Sequence, residues 1–146
     1  MRASILFIAL VLYFAPIASA DNMEIVYQTI AMESASEPSG QPFVALTIIN
    51  RARTRGTSLE TEAKRPFQYS AWNGGGKWAK AWLRSYYGVK TRQRAVNAYS
   101  EALALASKPQ YQGIRHYHAR GVHPAWAKGR RPLVVLGNHA FYEGIR

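Results

Sequence analysis

Met23, Val26, Tyr27 and Ile30 recur at helical spacing, and Glu33 falls on the same stripe. The pattern predicts a first helix that carries Glu33 and Glu37 one turn apart and stops at Pro38. Ser39 then reads as the cap of a second helix, with Pro42 in its first turn. Phe43, Val44, Leu46, Ile48 and Ile49 make that helix apolar nearly all round, as expected of a central buried element. It closes on Arg51, Arg53 and Arg55 and then Gly56, a basic last turn and a C-terminal glycine. Thr57-Ser58-Leu59-Glu60 reads as a capping box for a short third helix that Pro66 stops. Residues 66–76 read as loop. Lys77 to Tyr87 is a predicted helix with Trp78 and Trp82 at i and i+4, a spacing that favours core positions. Thr91 to Ser107 is a longer helix with Ala95, Tyr99, Ala102, Leu103 and Ala106 on one side. Beyond Pro109 an aromatic and histidine-rich stretch reads as irregular to Trp126, followed by a short β-like run from Leu133 to Leu136. The expected class is α+β, mostly α, in one domain with a small β-like C-terminal segment.

The first twenty residues have a different character. Arg2 precedes an almost wholly apolar run from Ile5 to Ala18, and Ala18-Ser19-Ala20 is an Ala-x-Ala cleavage signal. The run is short of the roughly 20 residues of a membrane span. Residues 1–20 therefore read as a signal peptide, with an uncleaved N-terminal anchor as the alternative, and residues 21–146 as the mature domain. The expected location is outside the cytoplasm, in periplasm, cell wall or medium. The chain has no cysteine, which removes disulfides, thiolate nucleophiles and cysteine metal sites. Its net charge is +11, and loss of Arg2 leaves 18 basic against 8 acidic side chains. Arg51, Arg53, Arg55, Lys64, Arg65, Lys128, Arg130 and Arg131 are scattered in short clusters. They read as a solvated basic surface or as attraction to an anionic wall or membrane. Nucleic acid would also suit the charge, but not the export signal, and it is not an expected partner.

Acids are scarce: the only Asp is Asp21, and seven Glu complete the set. Glu33 stands out because a carboxyl against apolar neighbours keeps its proton to higher pH and can act as a general acid. Glu37 either lies on the same helical face, where like charge would raise the Glu33 pKa, or is structural, bonding amides at the Pro38 turn or pairing with Arg51. Glu60 reads as a cap, and Glu62 and Glu101 as solvated helix positions. His116, His118, His123 and His139 resemble a zinc set superficially, but their spacing fits no zinc motif. No metal and no cofactor is expected. Gly74-Gly75-Gly76 lacks the Lys-Ser/Thr of a phosphate loop.

Several blocks together carry a family resemblance. Glu33-Ser34-Ala35-Ser36-Glu37-Pro38, Gly40-Gln41 and Ile49-Asn50-Arg51 resemble the start of the SleB-type cell wall hydrolase domain. That family has Glu-Ala-x-Gly-Glu-Pro, a Gly-Gln pair and a helix ending in Asn-Arg. Gln68-Tyr69-Ser70-Ala71-Trp72-Asn73 resembles its Gln-Phe-Ser segment. His116-Tyr117-His118-Ala119, Val122-x-Pro124-x-Trp126 and Leu136-Gly137-x-His139-x-Phe141-Tyr142 match its C-terminal blocks in order. The departures are Ser34, Ser36 and Tyr69.

The resemblance implies a lysozyme-like fold acting on peptidoglycan as a lytic transglycosylase, with Glu33 at the position of the family's catalytic glutamate. Such an enzyme needs one carboxyl, whereas hydrolytic glycosidases working with two need them about 5–5.5 Å or 6.5–9.5 Å apart. Gln68 and Ser70 then read as hydrogen-bonding partners of the sugar. Tyr69, Trp72 and Trp126 read as sugar-stacking rings, although Trp72 and Trp126 suit a core equally well. Tyr117 and His118 would line the cleft, and His139 would anchor the C-terminal turn by hydrogen bonds. Glu37 joins the expected substrate-binding set. The expected protein is a monomer, bacterial or phage-encoded. A hydrolytic muramidase and a non-catalytic wall-binding module are the alternatives.

Overall fold

The computed structural model describes residues 20–144, with side chains from residue 23. The segment read as a signal peptide therefore lies outside the described residues, apart from Ala20. Five helices, α1 (Ala20–Glu33), α2 (Gln41–Arg55), α3 (Leu59–Ala63), α4 (Lys77–Tyr86) and α5 (Val89–Ala106), precede three strands, β1 (Ile114–Ala119), β2 (Val134–Leu136) and β3 (His139–Glu143). The strands form an antiparallel sheet in the order β1-β3-β2. Among the described residues no helix is long and apolar enough to cross a membrane.

The second helix is central, as its composition requires. Its residues from Phe43 to Ala52 are all buried, between α5 on one side and β1 on the other. Gly56 ends it in the left-handed conformation (φ 63°), where a glycine carries no Cβ penalty. The face of α5 against it is built of Ala95, Ala98, Ala102 and Ala106, small side chains that let two helices approach closely. Leu103, expected on that face, is half exposed. One residue along a helix turns the side chain by about 100°, so Leu103 cannot share the direction of Ala102.

Four local expectations fail for identifiable reasons. Helix α1 ends at Glu33, not at Glu37. The Ser34 hydroxyl bonds the Glu37 carbonyl, and Glu37 itself takes φ −142°, ψ 82°, as the following Pro38 demands. Ser39 does not cap α2; it donates to Glu37 Oε1 at 2.7 Å. The cap of α3 is Ser58, which accepts from the Thr61 amide, while Glu60 pairs with Lys64 at 2.8 Å. Glu62 is fully buried rather than solvated and bonds Arg55 at 2.5 Å and Arg65 at 3.0 Å.

The C-terminal region is more ordered than its sequence suggests. Residues 114–119, read as irregular, form β1. Its alternation is masked because both faces carry aromatic rings. Tyr117 pairs with Phe141 on one face, while His116 and His118 point to the other with Tyr142 and Trp126. Asn50 fixes the start of β1 to α2 by donating to the Tyr111 and Ile114 carbonyls, both at 2.8 Å.

Candidate active site

The last residue of α1 is Glu33, and three donors from two other segments converge on its half-buried carboxylate. Ser70 Oγ (3.0 Å) and the Ala71 amide (2.9 Å) donate to Oε1 from the 66–76 segment. Tyr117 donates its hydroxyl to Oε2 at 2.7 Å from β1. The environment is thus a set of convergent donors rather than the apolar surround its helical position suggested. Tyr117 keeps its proton: burial, and then the adjacent Glu33 charge, push its phenol well above 10.

His139 completes the inner face of the sheet. Its ring lies edge-on to Tyr117, with centroids 5.5 Å apart, and the side chain is almost fully buried. Burial lowers its pKa, while the Glu33 and Glu37 carboxylates and the Glu33 backbone oppose that shift. The expected hydrogen-bond anchor is missing at one end, because Nδ1 has no partner. What seats the ring is Gly40. A Cβ there would stand 3.1 Å from His139 Nδ1 and 3.0 Å from Ser34 Oγ, so the Gly-Gln pair answers to close packing. Glu37 lies beyond the helix end, held by Ser39 and pressed against Gly137, with no bond to Arg51.

The other residues expected at a sugar site divide. Tyr69 is completely buried, so its ring offers no face to a sugar. Its hydroxyl lies 3.1 Å from Thr47 Oγ1, and burial pushes its pKa up to about 12. Trp72 is half-buried and donates Nε1 to Thr29 at 2.8 Å, packing in the core. Gln68 is half-buried on the same loop as Ser70. His118 and Trp126 stand on the outer face of the sheet, turned away from Tyr117. There His118 lies 2.9 Å from the Tyr142 hydroxyl and packs against Trp126. Among the described residues no group of three His, Asp or Glu comes together as a metal site.

One feature escaped the sequence reading and another was read only in part, since Trp82 does pack against the core. Phe67 is 88% exposed on the segment that carries Ser70, with a left-handed φ of 61°. A bulky residue in that conformation is a genuine outlier. Helix α4 carries a ladder of rings, Trp78, Trp82 and Tyr86, with successive centroids 6.4 and 5.8 Å apart. Trp78 is 54% exposed, not core. The helix is tied down through Ala79 to Met32 and Ala71, the neighbours of Glu33 and Ser70. The signal was available, since rings at i, i+4 and i+8 share one face.

A family model described as Cell Wall Hydrolase matches residues 35–142. The chain belongs to the cell wall hydrolase family. It is thereby an enzyme domain whose substrate is peptidoglycan. The matched span begins just past Glu33, so the match itself assigns no role to that residue. It does include Ser70, Tyr117 and His139, the groups gathered around the acid. Comparison with curated proteins and with solved structures gives no match.

Proposed function

We propose that this cell wall hydrolase is a lytic transglycosylase of SleB type and lysozyme-like architecture, with Glu33 as its one acid and base. The observation that carries the reading is the single carboxylate held by donors from α1's neighbours in the fold, the 66–76 segment and β1. Oε1 already accepts two hydrogen bonds, one from a backbone amide that cannot reverse. Oε2 accepts one, from a hydroxyl that can rotate to accept instead. The transferable proton is therefore assigned to Oε2.

Glu33 gives that proton to the oxygen of the β-1,4 bond between N-acetylmuramic acid and N-acetylglucosamine. The C1–O bond breaks and the glucosamine leaves with its hydroxyl restored. The carboxylate then takes the proton of the muramic C6 hydroxyl as O6 bonds to C1. The product is 1,6-anhydro-muramic acid; no water is consumed, and Glu33 ends protonated as it began. Tyr117, held as a phenol, steadies the carboxylate between the two proton transfers. Phe67 and, on α4, Trp78 and Tyr86 offer exposed rings for stacking on sugars. The N-terminal apolar segment fits delivery of the enzyme to the wall.

A second reading has one observation in its favour. Glu37 acts electrostatically on the same His139 as Glu33, so a two-acid hydrolysis with Glu37 as base is the alternative. Mass spectrometry of soluble products from isolated peptidoglycan separates the two. Anhydro-muramyl ends, lost with Glu33→Gln and kept with Glu37→Gln, support the transglycosylase. Reducing muramic ends lost with either variant support hydrolysis. Wall binding without products from the wild type would reject both.

A further inference from the structure

The last turn of α2 and the start of β1 enclose a pocket of about 60 Å³, lined by Arg51, Thr54, Arg55, Arg115 and His116. That volume exceeds the roughly 10–15 Å³ needed for one water and is far too small for a sugar. Its walls are unusual. Arg51 is only 6% exposed, yet its Nε and Nη1 have no hydrogen-bond partner, and neither does Arg115 Nε. Buried donors without acceptors are costly, the more so on a charged group. No carboxylate pairs with Arg51 or Arg115 among the described residues; Glu62 is already shared by Arg55 and Arg65. The β1–β3 register shifts between Ile114 and His116, and both Arg115 and His116 reach α2, Arg115 at 3.4 Å from Thr54 Oγ1 and His116 at 3.1 Å from Arg51.

We propose that Arg51, Arg55, Arg115 and His116 form a binding site for a small oxyanion, a carboxylate or a phosphate. Guanidinium forks match the planar or tetrahedral oxygens of both. The site is distinct from the Glu33 centre and stands whether or not the transglycosylase reading holds. His116 is its built-in reporter. Its Nδ1 lies 3.1 Å from Arg51 Nη2, which can only donate, so the ring accepts and is neutral. Burial, then the charges of Arg51, Arg115, Arg55 and Arg130, lower its pKa to about 4. An anion among those arginines would cancel part of their field and raise it.

The test follows the His116 imidazole by NMR across pH, with chloride, acetate or inorganic phosphate at matched ionic strength. A saturable rise of the His116 midpoint with acetate or phosphate, beyond that in chloride, supports the site, and the tighter of the two names the ligand class. Arg115→Gln should weaken the response roughly tenfold or more, as loss of a charge-assisted contact does. Lys80→Gln, which removes the same charge from α4, should leave it unchanged. Thr54→Glu, which supplies a carboxylate at the pocket, should raise the His116 midpoint unaided and abolish the response. Equal responses in chloride, or equal loss in Arg115→Gln and Lys80→Gln, would reduce the effect to general screening and overturn the proposal.

Discussion

The two faces of the C-terminal sheet hold chemically similar residues in opposite electrical surroundings. On the inner face, Tyr117 and His139 look toward Glu33 and Glu37. On the outer face, His116 looks toward Arg51, Arg115 and Arg55. Both histidines have lowered pKa values. For His139 the carboxylates resist the effect of burial, whereas for His116 the arginines reinforce it. Identical side chains one strand apart thus sit among opposite charges. The inner face meets carboxylates, which the proposed chemistry uses to move protons; the outer face meets guanidinium groups, which the proposed anion site would use.

The sharpest break of this division is Glu33→Gln. It should abolish wall cleavage, a loss of about 10²–10⁴-fold or more, and leave the thermal midpoint close to wild type. Turbidity loss of isolated walls and calorimetry read the two quantities. Tyr117→Phe comes next. The packing against Phe141 remains, but the carboxylate loses one donor, and kcat should fall about tenfold at little cost in substrate affinity. An unchanged kcat would remove Tyr117 from the proton-handling face.

His116→Gln probes the outer face through pH. The folded-state pKa of His116 lies near 4, below the unfolded value near 6.5. Between those values the unfolded chain binds more protons, so stability is full above about pH 6.5 and is lost as pH falls toward 4. His116 is half exposed, so solvent screening reduces the effect. The drop in thermal midpoint between pH 7 and 4.5 should be smaller in His116→Gln than in wild type. The smallest expected effect is that of Trp126→Phe. Trp126 packs on His116, His118 and Tyr142, away from Glu33. Wall cleavage should stay within about twofold while stability drops by about 1 kcal/mol. A large loss of turnover would carry the substrate cleft onto the outer face.

The helices were legible in the sequence because an apolar period of 3.6 and terminal glycine or proline speak locally. The site was legible only in part. Glu33 stood out for its scarcity, but its three donors come from residues 70, 71 and 117, and no local pattern announces such a meeting. Tyr69 and Ser70 are neighbours in one motif, yet adjacent residues point in opposite directions: one fills the core and the other meets the acid. His118 and Trp126 failed likewise, because a strand with rings on both faces hides which face is which. Glu62 and Arg51 looked like ordinary surface charges, and only their depth in the fold distinguishes them.

Phe67 gives the loop beside the acid a consequence for engineering. Its left-handed backbone stores about 1–3 kcal/mol that a glycine would release, less the chain entropy that glycine adds. A screen for heat tolerance would thus favour glycine, or Asn and Asp, at this position. The same screen would strip the loop of its one fully displayed ring. On the stacking role proposed for Phe67, libraries selected on melting temperature alone would drift toward durable proteins with a blunted grip on the wall, and a programme to harden this enzyme should hold residue 67 fixed.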